Sequence, residues 1–98
     1  MIALQPSELV MVRDILQKHV PSAEVRIFGS RITGKSKKHS DLDLVIVGKT
    51  AIESSLLSLL KTDFEESDLP FRVDVLDWHS VSERFQKKIL EKYEILPL

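Results

Sequence analysis

The sequence predicts a small α/β domain, α+β in the stricter usage, with elements in the order α-β-β-α-β-α. Three observations predict it. Apolar residues recur at helical spacing in three stretches, near the start, in the middle and near the end of the chain. The run Leu42 to Val47 is apolar except at Asp43, as expected for a central strand covered on both faces. Phe71, Val73 and Val75 alternate with Arg72, Asp74 and Leu76, which is the period of two of a strand.

The first helix is expected over residues 6–19. Pro6 suits a first turn and Ser7 is a candidate cap. Leu9, Val12, Leu16 and Val20 form its apolar stripe, and Pro21 ends it. Glu24 to Phe28 reads as a strand, residues 29–40 as a turn with room for one helical turn near Ser30–Thr33, and Leu42 to Val47 as the next strand. Thr50 and Glu53 match a capping box, followed by the stripe Ile52, Leu56, Leu59, Leu60 and Phe64. Ser80 and Glu83 match a second capping box. The stripe Val81, Phe85 and Ile89 follows it, with Glu83–Lys87 and Lys87–Glu91 as i,i+4 charge pairs.

Ninety-eight residues make one domain, 1–98, with a modest core. A net charge of −1 lacks the footprint of a nucleic-acid binder, so no direct nucleic-acid contact is expected. With no cysteine, a disulfide framework and thiolate metal sites are excluded. The N-terminus has no basic segment followed by an apolar run, and no apolar stretch approaches the ~18 residues of a membrane span, so a soluble cytoplasmic protein is expected.

Chemistry concentrates in VRIFGSRITGKSKKHSDLDLVIV, residues 25–47. Gly29-Ser30-Arg31-Ile32-Thr33-Gly34-Lys35-Ser36 satisfies the P-loop expression G-x-x-x-x-G-K-[ST]. A P-loop needs a long helix directly after the lysine to hold the phosphate. Only Lys37, Lys38, His39 and Ser40 separate Ser36 from Asp41 and an apolar strand, so the match is a decoy. Asp41 and Asp43, two apart, point to one strand face, where they repel and call for a cation. Arg31, Lys35, Lys37 and Lys38 form a basic rim beside them. Asp74 stands between Val73 and Val75 and faces away from them, an acid where strand propensity disfavours one; it is either a metal ligand or an acid on an exposed edge strand paired to Arg72 or a lysine. Carboxylates on adjacent strands suit Mg²⁺, which takes oxygen ligands together with substrate phosphates. The set suggests a polyphosphate held by the Gly29–Ser30 turn, a metal and the basic rim.

Gly-Ser, about ten residues, Asp-x-Asp and a later strand Asp resemble the signature of the nucleotidyltransferase superfamily that includes DNA polymerase beta. In detail the chain resembles the minimal nucleotidyltransferases (MNT proteins), over essentially its whole length. The resemblance implies a nucleotidyltransferase fold with a mixed sheet and transfer of a nucleoside monophosphate, AMP from ATP, to a hydroxyl. It implies that Gly29, Ser30 and Arg31 match the nucleotide-binding turn, with Lys35 as an outer basic contact. Asp41, Asp43 and Asp74 match the catalytic carboxylates that hold two Mg²⁺ ions. Ile32-Thr33 departs from relatives that have small residues there. The resemblance also implies a helical HEPN-type partner, as half of a toxin–antitoxin or two-subunit pair. The acceptor hydroxyl is then expected on that partner or in a pocket it completes, in an assembly of like or unlike chains. The alternative is an antitoxin that neutralises its partner by binding alone. Leu90, Tyr93, Ile95 and Leu98 lie outside the last helix's inward stripe and are expected either to contact a partner or to fold back on the core.

Overall fold

The computed structural model describes residues 2–98. Helix α1 (Pro6–His19) forms where the sequence places it. Its cap is Gln5 rather than Ser7: the Gln5 amide donates to Glu8 Oε1 at 2.8 Å. The Val20 amide closes the helix on Leu16 O at 2.7 Å, one residue before Pro21. Strand β1 (Glu24–Phe28) leads into the single helical turn α2 (Ser30–Thr33) and then to β2 (Leu42–Val47). Helix α3 (Ser54–Glu65) crosses over to β3 (Val73–Asp77). A 3₁₀ turn (Trp78–Ser80), helix α4 (Glu83–Glu91) and a short β4 (Glu94–Leu96) complete the described chain.

The four strands make one mixed sheet in the order β3-β2-β1-β4. β1 runs antiparallel to both β2 and β4, and β2 runs parallel to β3. A parallel pair cannot be joined by a tight turn, and α3 supplies the crossover it needs. Leu42, Leu44 and Ile46 of β2, Val25 and Ile27 of β1, Val75 of β3 and Leu96 of β4 share one core with Val12 and Leu16 of α1 and Leu60 and Phe64 of α3. Alternation puts Asp43 and Val45 on the opposite face, with Asp74 and Arg26. Val45 is fully buried there too, so β2 is covered on both sides, as its apolar run predicts.

Both expected capping boxes shift. Thr50 does not begin a helix; Glu53 takes the cap position of α3 in an extended conformation. Thr50 to Ile52 instead runs to Asp77, whose Oδ2 accepts the Ile52 amide at 2.9 Å. At α4 the cap is Ser82, two residues past the expected Ser80, and its hydroxyl accepts the Phe85 amide at 3.1 Å. The predicted stripes bury only in part. Leu60 and Phe64 are buried while Leu59 is 58% exposed, and Ile89 is buried while Phe85 is 37% exposed. The last helix is followed by β4, an element the sequence reading lacks.

Candidate active site

The site forms where β1 turns into α2. Gly29 adopts φ +80°, a left-handed conformation that a side chain disfavours. A Cβ there would also overlap the Asp43 carboxylate, so the turn admits only glycine on two independent grounds. The Gly29 carbonyl accepts the Ile32 and Thr33 amides at 3.0 and 3.2 Å, which closes α2. The Ser30 and Arg31 amides head that turn, where a helix leaves its first N–H groups without intrahelical acceptors. Gly34 ends α2 in the left-handed region. The helical turn therefore precedes Lys35 instead of following it, and the P-loop geometry is absent.

Asp43 pairs in register with Phe28 of β1 on one side and Asp74 of β3 on the other. Burial, then the negative charges of Asp74 and Asp41, push the Asp43 carboxyl above the usual carboxylate range, and Arg72 pulls it partly back. Asp41, just ahead of β2, receives Arg72 Nη2 at 3.0 Å. Both partners are well exposed, so this ion pair is worth about 0–1 kcal/mol. Asp74 is exposed on β3, an edge strand. The three acids are neighbours rather than a closed cage: among the described residues no three His, Asp or Glu side chains converge on one point. A hard cation nevertheless fits the donor set. All three candidate ligands are carboxylates, burial and then the charges of Asp74 and Asp41 raise the Asp43 pKa, and among the described residues the exposed Arg72 is the positive charge that acts against the rise.

Arg31, expected at the nucleotide-binding turn, has its side chain turned into the protein. Its side chain is 5% exposed, and its guanidinium donates to Ala3 O at 2.8 Å, Ser40 O at 2.7 Å and Lys38 O at 3.3 Å. Its plane lies 4.3 Å from the Phe71 ring centroid. Arginine is suited to such a buried fork of contacts because its charge is delocalised and its donors are fixed. Here Arg31 braces the loop leading to Asp41 against the N-terminal segment. Lys35 is exposed on that loop.

Other titratable residues are used structurally. Asp77 is buried and caps the 3₁₀ turn, accepting the His79 amide at 3.2 Å, as its position at the strand end predicts. His39 Nδ1 lies 3.1 Å from Pro70 O, tying the basic loop to the segment before β3. The Arg26 guanidinium carbon lies 5.0 Å from the ring centroids of both Trp78 and Tyr93. Arg72, which the sequence offers as an ion-pair partner for Asp74, lies just before β3 and pairs with Asp41 instead. Beside Asp74, a cleft of about 440 Å³ opens at the free edge of β3, lined also by Arg72, Lys61 and Phe71.

The chain is similar to known proteins in sequence and in fold. Residues 11–97 match the family model described as polymerase beta, nucleotidyltransferase. The probable protein adenylyltransferase MntA of Haemophilus influenzae is 45% identical over 93 residues, which cover 95% of this chain and 82% of that protein. Among solved structures, a toxin–antitoxin complex with AMP-PNP superposes with a TM-score of 0.75 at 20% identity, over 90% of this chain and 71% of that one. A tri-AMPylated Shewanella oneidensis HEPN toxin in complex with MNT antitoxin gives 0.71 at 19% identity, over 95% of this chain and 71% of that one. At such identities the two structures speak for the fold.

Proposed function

The chain belongs to the polymerase beta nucleotidyltransferase family, and we propose that it transfers AMP from ATP to a hydroxyl on a helical HEPN-type partner protein. The observation that carries this reading is the position of Asp43. It lies against Gly29 on one side and Asp74 on the other, so a phosphate-binding turn and a carboxylate cluster meet at one residue.

Ser30 and the amides heading α2 hold the outer phosphates, and Lys35 adds a cation from the loop. Asp41, Asp43 and Asp74 would hold Mg²⁺, two ions on the family resemblance, and that positive charge would offset the departing pyrophosphate and lower the pKa of the acceptor hydroxyl. The acceptor oxygen bonds to the α-phosphorus as the bond to the pyrophosphate oxygen breaks, and Asp74 takes the acceptor proton. Strand order gives the reaction a direction. The nucleotide lies over β2 and the Gly29 end of β1, and the acceptor enters from the β3 edge through the cleft beside Asp74.

The partner assignment draws on the relatives. The Haemophilus protein's name gives a protein as its acceptor, and the Shewanella complex pairs an MNT chain with an AMPylated HEPN toxin. It also draws on the surface of this chain. Leu90 and Ile95 are 47% and 51% exposed. Tyr93 and Leu98, expected with them, are taken up internally, Tyr93 on Arg26 and Leu98 against the core. The raised pKa of Asp43 argues against binding alone, since acids crowded together without a cation cost stability. Asp41→Asn tests the reading. Mg²⁺-dependent transfer should disappear while the circular dichroism spectrum stays native. Full transfer by a variant of confirmed mass would refute the metal assignment.

A further inference from the structure

We propose that the cavity between α4 and the end of β1 is the nucleobase subsite; this deepens the nucleotidyltransferase reading and rests on it. The cavity measures about 310 Å³, within the range of small-ligand sites. Phe28 of β1 and Phe85 and Ile89 of α4 give it an apolar wall, and Gly29 forms part of its lining. Gly29 therefore borders both the cavity and Asp43. A nucleotide with its phosphates over the Gly29–Ser30 turn reaches the cavity without leaving the surface.

The aromatic geometry suits a planar ring. Phe28 and Phe85 meet edge to face, with centroids 5.9 Å apart and planes at 80°, so they do not stack on each other. Phe85 remains 37% exposed although it lies on the stripe that buries Ile89. Lys88 and Lys92 stand at the rim with Glu91 between them, leaving net positive charge toward an anionic ligand.

Strand order argues for the base rather than for an aromatic side chain of the acceptor. Asp74, where the acceptor proton goes, is on β3, whereas the cavity opens beside β1, with β2 between them. An acceptor ring seated against Phe85 would put its hydroxyl on the wrong side of Asp43.

Isothermal titration of the full chain with Mg-ATP and with Mg-tripolyphosphate tests the proposal. Tripolyphosphate carries the phosphates without a base. Phe85→Ala and Phe85→Leu should each weaken ATP about tenfold or more, the scale of one lost base–aromatic stack, and leave tripolyphosphate unchanged. Phe85→Trp should restore ATP affinity. Equal effects on the two ligands, or none on either, would overturn the base subsite while leaving the nucleotidyltransferase reading standing. So would Phe85 variants that keep ATP affinity but raise the KM of the acceptor, which would give the cavity to the acceptor. Wild-type protein that binds neither ligand would overturn both.

Discussion

Asp43 holds its proton more tightly in the folded chain than in the unfolded one, because burial and the charges of Asp74 and Asp41 all oppose its ionisation. The stability that its neutral form contributes is complete below the unfolded pKa and is lost as pH rises through the higher folded value. Asp43→Asn keeps a neutral group of the same shape at every pH. Near neutral pH it should be more stable than wild type, read as a higher Tm. The gain should vanish as pH falls below the carboxylate range. Equal Tm values across that whole range would show that Asp43 carries no such repulsion. These acids were legible in the sequence because an acid in an apolar strand stands out against its neighbours. Arg31 was not, since sequence does not distinguish a cation facing a phosphate from one buried against main-chain carbonyls.

Among elements, the loop between α2 and β2 depends on Arg31, which ties residues 3, 38 and 40 together. Arg31→Ala should cost about 2–4 kcal/mol in urea unfolding, the scale of several hydrogen bonds to one buried charge. Arg31→Lys should recover little, because a single ammonium cannot reproduce the fork. Unchanged stability together with lost ATP affinity would return Arg31 to the nucleotide site. Most elements were legible from periodicity, β2 best of all because both of its faces are covered. Strand β4 was not, because three residues are too few to show alternation. It exists through pairing with β1, Val25 opposite Leu96, which delivers Leu96 to the core. The capping boxes shifted for a related reason. Ser-x-x-Glu and Thr-x-x-Glu patterns show where a helix can start, but Ile52 is drawn toward the buried Asp77, and Ser82 is the better-placed cap for α4.

In the whole molecule, one sheet does two jobs. One face, with α1 and α3, holds the core, and the other carries Asp43 and Asp74 between a base cavity beside β1 and a cleft at the β3 edge. The proposed function places transfer from the inner phosphate of the nucleotide to an acceptor entering from the β3 side. Parallel reactions of the protein and the HEPN-type partner proposed for it with α-labelled and γ-labelled ATP in Mg²⁺ test this most directly. The α-label should become covalently attached to the partner, the γ-label should leave only as pyrophosphate, and Asp43→Asn should attach neither. Label from the γ-phosphate on the partner, or undiminished α-labelling by Asp43→Asn, would contradict that transfer.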